Sequence, residues 1–272
     1  MVPLLLIAGC SLYIDGPWVD NAPARAAAVV SWAEPQGPLY PAGNTGVAYW
    51  GWFQAPQDGF GTDWVLPAPV GCSDKTVDLT TWTDALVDLP GDPSVIASKD
   101  TSVPMTWVSA NRLYDATLVD GDIGTSATTF NLQGTNLATA GTLSVAPFVE
   151  VPGEIPYYGP DPGNADDTTP PALGLDQLLV TWSGDAADVV AVTGSLLNSR
   201  GTALETWTCA ADGADGQVQI PKNSWQDANV SSAKYVSFAI TQIVYTNTAI
   251  GGMEAVSRGV GERTHYAAYT IQ

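Results

Sequence analysis

From Ala26 onward the apolar residues fall into short runs separated by Gly, Pro, Asn and Asp, a rhythm of strands and turns. Ala26–Trp32 is a β-like run closed by Glu34-Pro35-Gln36-Gly37-Pro38, and Thr45–Phe53 is a stronger run rich in aromatics. Val65 and Val70 lie among prolines, which reads as loop or edge strand. Leu79, Trp82, Leu86 and Leu89 recur at spacings of three and four. One short helix is therefore expected between Asp78 and Leu89, weakened by Thr80, Thr81 and Thr83. Five candidate strands follow at Ser94–Ser98, Met105–Ser109, Tyr114–Val119, Thr128–Gln133 and Gly141–Val145. Strands at this spacing predict an antiparallel sandwich or barrel.

Pro147, Pro152, Pro156, Pro160, Pro162, Pro170 and Pro171 make residues 147–174 the densest proline stretch of the chain. Proline resists both helix and central strand, so this stretch is read as a semi-rigid linker and domain boundary. Beyond it, strands are expected at Gln177–Trp182, Val189–Leu197, Leu204–Cys209, Gln217–Ile220, Tyr235–Thr246, Glu254–Arg258 and Tyr266–Ile271, with one helical turn at Asn223–Gln226. About seven strands in about 98 residues match the size of an immunoglobulin-like sandwich. The expected fold is therefore all-β: two antiparallel β-sandwich domains, at 26–146 and 175–272, the C-terminal one immunoglobulin-like. No fixed-period repeat emerges, which argues against solenoids and propellers.

Composition narrows the function classes. Of 272 residues, 45% are hydrophobic, enough to build cores, and 27 Gly with 20 Pro disfavour a helical bundle. Nine basic residues face 28 acidic ones, a net charge of -19. Such a surface repels phosphate backbones, so no nucleic-acid partner is expected, nor direct adhesion to anionic lipid headgroups.

The N-terminus carries a location signal. Val2–Ala8 is apolar but too short to span a bilayer, which takes about 20 residues. It reads as the apolar region of an export signal, although no Lys or Arg precedes it. Ile7-Ala8-Gly9-Cys10 resembles the lipobox of bacterial lipoproteins. The resemblance implies cleavage before Cys10, acylation of its sulfur, and membrane attachment through the acyl chains. Ser11 in the next position implies, by the same resemblance, sorting to the outer membrane. Residues 1–9 would then be a signal-peptide remnant and 10–25 a tether.

The C-terminal half also resembles a module of uncharacterised secreted bacterial lipoproteins. The likeness rests on Leu179-Val180-Thr181-Trp182 with Gly184-Asp185, on Thr208-Cys209, on Asp212-Gly213, and on Asp215-Gly216-Gln217-Val218-Gln219-Ile220-Pro221. It implies fold and location and brings no catalytic residues.

Few residues point to chemistry. With Cys10 assigned, Cys72 and Cys209 remain. An exported chain meets an oxidising compartment, where they could pair across the linker; otherwise each is a small buried hydrophobe. Asp120 with Asp122, Asp161 with Asp166 and Asp167, and Asp212 with Asp215 are weak calcium candidates, since Asp-rich turns supply oxygen ligands. None has the EF-hand spacing, and Asp-Gly is ordinary turn chemistry. No other cofactor is expected.

Trp50 and Trp52 share one face of a strand and would form a sugar-stacking platform if exposed; burial in a core is the favoured reading. His265 is the sole histidine, and no nucleophile elbow, phosphate loop or zinc spacing is present, so no enzymatic activity is expected. The function expected is a structural or binding module of the cell envelope, presenting loops to another envelope protein or a glycan. The alternatives are carbohydrate binding through Trp50 and Trp52, and hydrolysis by an Asp/Glu pair.

Overall fold

The β-branched and aromatic runs become strands. The computed structural model describes residues 24–35, 43–57, 71–73, 92–97, 102–110, 112–137, 141–154, 157–161, 163, 169–175, 178–183, 187–221, 230–249 and 256–272. Its strands are β1 (Ala24–Pro35), β2 (Thr45–Gln57), β3 (Gly71–Ser73), β4 (Asp92–Ala97), β5 (Ser102–Pro104), β6 (Thr106–Val108), β7 (Leu113–Leu118), β8 (Thr128–Leu137) and β9 (Gly141–Val151). They continue with β10 (Tyr157–Gly159), β11 (Ala172–Leu173), β12 (Leu178–Trp182), β13 (Val189–Leu197), β14 (Ala203–Asp212), β15 (Gln217–Ile220), β16 (Tyr235–Ala249) and β17 (Val256–Ile271). Only single 3-10 turns, such as Gly213–Asp215, interrupt them, so the described chain is almost all β.

Ten strands form one sheet in the order β3-β14-β13-β16-β17-β1-β2-β7-β6, with β11 beside the end of β17. Two smaller sheets, β5-β4-β8-β9 and β10-β12-β15, complete the architecture. Strand alternation assigns the faces. Ala26, Ala28, Val30 and Trp32 of β1 share a face with Ala48, Trp50 and Trp52 of β2 and with Tyr114, Ala116 and Leu118 of β7, and they pack with Phe130, Val149 and Val151 of the four-stranded sheet. On the same face of the large sheet, Val190, Val192, Trp207, Cys209, Val236, Phe238 and Tyr269 pack with Leu178, Val180, Trp182, Val218 and Ile220 of the three-stranded sheet. Two apolar cores thus lie side by side under one sheet.

Small residues set the packing distance in each core. A Cβ on Gly46 would fall 2.6 Å from Trp32 Cε3, and one on Gly194 would fall 2.2 Å from Trp207 Cζ2. Each indole therefore lies over a glycine on the neighbouring strand. Gly261 lets β9 cross the large sheet, since a Cβ there would sit 1.8 Å from Glu150 O.

Three expectations need correction. The cores divide at the proline-rich stretch, one drawing on residues 26–151 and the other on 178–269, but the large sheet does not divide there. Strand β1 pairs with β17, joining chain segments about 230 residues apart into one sheet. That pairing is parallel, as is β11 with β17, so the large sheet is mixed, whereas an antiparallel one was expected. Nor is the stretch at 147–174 a free linker. It carries the end of β9 and the whole of β10 and β11, and Thr270 N donates to Pro171 O at 2.8 Å. Among the described residues, Pro147 is the proline of this stretch that falls within a strand, where the β8–β9 register shifts, and Pro160, Pro170 and Pro171 flank β10 and β11, so no regular ladder loses a donor.

The two strands expected at Glu254–Arg258 and Tyr266–Ile271 are a single strand, β17. The strand start falls at Ala24, so the expected tether 10–25 overlaps β1 by two residues. The helix expected at 78–89, the turn at 223–226 and residues 1–23 lie outside the described residues.

Candidate functional site

Between the two cores the apolar pattern breaks. Strand β17 carries Gly261-Glu262-Arg263-Thr264-His265 in the middle of the sheet, and Glu262, Arg263, Thr264 and His265 are all buried. The parallel register sets Trp32 beside Arg263 and Glu34 beside His265; the antiparallel register of β16 sets Gln242 beside Arg263 on the same face. These side chains form a polar seam between the cores.

Glu34 is the hub. Its Oε1 accepts from Trp32 Nε1 at 2.9 Å and lies 3.8 Å from Arg263 Nε, and its Oε2 is 3.1 Å from His265 Nδ1. Arg263 Nη2 also donates to Gly124 O, and Gln242 Nε2 donates to Gly153 O at 3.2 Å. The segment after β9 closes over this end of the seam, with Glu154 N donating to Thr125 O at 2.7 Å.

Burial lowers the His265 pKa to about 4, and the neighbouring Arg263 adds to the drop while Glu154 opposes it. At neutral pH the imidazole is therefore uncharged and donates Nδ1–H to Glu34. Burial likewise pulls the Arg263 pKa down, opposed by Glu34 and Glu154, but a guanidinium stays protonated at any ordinary pH. The seam thus holds one cation against one carboxylate, a pairing that holds geometry but contributes little net stability once desolvation is counted.

Glu262 points to the opposite face of the sheet. It is 1% exposed, and burial raises its pKa to about 7, partly offset by a hydrogen bond with Ser31. Glu34 and Glu262 therefore sit on opposite faces and cannot flank one substrate bond, so these two acids do not form the pair that glycoside hydrolysis requires.

The residues singled out in the sequence fall elsewhere. Trp50 and Trp52 are each 2% exposed, with ring centroids 6.1 Å apart at 60°, packed in the N-terminal core beside Tyr114. The sugar-stacking platform is corrected on that ground: neither indole presents a face to solvent. Cys72 and Cys209 are brought together. They are register partners on β3 and β14, with Cα atoms 4.0 Å apart, and form a disulfide.

The acidic turns use their own oxygens. Asp122 Oδ2 accepts from Val119 N at 2.7 Å, Asp212 Oδ1 from Ala214 N at 2.9 Å, and Asp161 Oδ1 from Gly163 N at 2.9 Å. Gly121, Gly163 and Gly216 adopt positive φ beside these acids, the geometry that Asp-Gly turns need. Asp120 and Asp215 flank the same turns, and among the described residues no group of three or more His, Cys, Asp or Glu is placed to hold a metal. Asp166, Asp167 and Cys10 lie outside the described residues.

Sequence reasoning missed Gln242 and Arg263, noted Glu34 only as the close of the first strand run, and noted His265 only as the sole histidine. The available signal was a polar run inside an otherwise strand-like segment, which reads as a break because charges seldom occupy a sheet centre. A scan against protein-family models finds no match. A search of curated protein sequences likewise finds none.

Proposed function

We propose that the chain is an exported bacterial lipoprotein, acylated at Cys10, that serves as a structural or binding module of the outer membrane. In this reading the two cores are a pair of β-sandwiches sharing one large sheet, the C-terminal one immunoglobulin-like. The observation that carries the reading is the Cys72–Cys209 disulfide, since such bonds persist in oxidising compartments and are rare in the cytosol. It uses two of the three cysteines and leaves Cys10, in its lipobox-like setting, for acylation.

The structural side of the reading is supported by the seam. Glu34 binds Trp32 and His265, and Arg263 and Gln242 each donate to a backbone carbonyl, while Gln242 Oε1 and Arg263 Nη1 make no hydrogen bond among the described residues. An envelope protein or a glycan remains the proposed partner, met through loops. Expression in a Gram-negative host, followed by mass spectrometry of the membrane fraction, tests the anchoring. The parent chain should carry added acyl mass on Cys10 and the Cys10→Ala variant should be soluble. A parent chain recovered soluble without that mass would refute it.

A further inference from the structure

The pairing of β1 with β17 is parallel, and this decides how the protein meets a pulling force. In a parallel pair both strands run the same way. Chain entering β1 before Ala24 and chain leaving β17 after Ile271 therefore exit at opposite ends of the pair. Tension between those exits slides β1 along β17 and does not peel one from the other.

We infer that the β1–β17 pair is a shear lock, built to carry mechanical tension applied between the chain before Ala24 and the chain after Ile271. The backbone pairs from Ala24–Val256 to Pro35–Tyr266 lie across the sliding direction and resist together. Neither strand is at an edge: β1 has β2 on its other side and β17 has β16, so slippage breaks further ladders.

Side chains add to the lock. Glu34 on β1 holds both Arg263 and His265 on β17, and Arg263 is tied in turn to Gly124 O. Trp32 sits in the notch that Gly46 leaves on β2. A slip of one residue turns every side chain to the wrong face, placing Glu262 on the face that Arg263 occupies. The next allowed register lies two residues away, about 6.6 Å along the strand, and reaching it breaks every bond of the pair at once. Burial of the seam denies water to the parting groups.

The source of the tension, a membrane anchor at one end, rests on the proposed acylation; the strength of the pair does not. Force spectroscopy on unacylated full-length chain, in a Cys10→Ala background, separates the two. Handles at the chain ends load the shear axis. Handles at Asp120→Cys and Arg200→Cys, in exposed turns beyond β7 and β13, load the same sheet across its strands.

At one loading rate the end-to-end rupture force should be roughly twofold the cross-strand force, because parallel bonds fail together and peeled bonds fail in turn. Glu34→Gln should lower the end-to-end force and leave the cross-strand force within error. Equal forces along the two axes in the parent overturn the inference, and this comparison does not depend on any seam variant folding. A Glu34→Gln variant that weakens both axes alike also overturns it, since that loss would be one of general stability.

Discussion

Glu262 and His265 are three positions apart on one strand and titrate against the fold in opposite senses. The Glu262 pKa rises from 4.5 to about 7 on folding, so its contribution to stability is complete below about pH 4.5 and is lost as pH rises through 7. The His265 pKa falls from 6.5 to about 4, so its contribution is complete above about pH 6.5 and is lost as pH falls through 4. Across pH 4.5–6.5 the two slopes partly offset. Glu262→Gln removes one of them. Relative to the parent it should be near neutral at pH 4 and more stable by on the order of 3 kcal/mol at pH 8, the worth of a shift of this size. Urea unfolding at a series of pH values measures this difference; a gain that does not grow with pH would contradict the burial argument. The arrangement of Trp32 over Gly46 and Trp207 over Gly194 belongs to the same scale. The sequence shows the indoles and the glycines but not which strand each glycine serves.

At the scale of elements, β3 is the telling case. Three residues, Gly71–Ser73, form the outermost strand beyond β14, and so short a strand contributes few backbone bonds. The disulfide holds it there and closes a sequence separation of 137. Replacing both Cys72 and Cys209 by Ala should cost roughly 2–5 kcal/mol, chiefly through the freedom regained by the unfolded chain. Equilibrium unfolding of the two proteins side by side decides it, and matching midpoints would show that the bond constrains nothing. Strand β17 teaches the opposite lesson. Alternation located Val189–Leu197 and Gln217–Ile220 with correct ends, because their polar residues face solvent or hydroxyl partners. It divided β17 in two because Glu262, Arg263 and His265 are polar residues facing inward on both sides.

For the molecule as a whole, the question is whether two cores make two folding units. Their buried residues come from 26–151 and from 178–269, with Cys72 packed against the second, but β1 and β2 belong to the sheet that also backs the C-terminal core. Separating the halves would expose both edges of the β1–β17 pair and leave Arg263 and Glu34 without each other. The chain should therefore unfold in a single transition, with far-ultraviolet circular dichroism and tryptophan fluorescence tracing one curve. Two resolved transitions would mean that the seam does not couple the cores. The charge of -19 acts at this scale too: self-repulsion opposes compaction, so stability should rise as salt screens the surface.

The amino-acid sequence by itself determined most of the longer strands, for a physical reason: alternation, β-branched residues and Gly/Pro punctuation act within a few residues and need no partner to be read, whereas β3, β10 and β11 are too short to leave such a pattern. It left Cys72 and Cys209 open between a bridge and two separately buried thiols. Only the tertiary structure decided that β1 and β17 lie side by side in one sheet, that they run parallel, and that Glu34, Gln242, Arg263 and His265 meet. Those facts depend on which distant strand a segment pairs with and in which direction. Backbone hydrogen bonds, being alike along every strand, leave no trace of that choice in the local pattern.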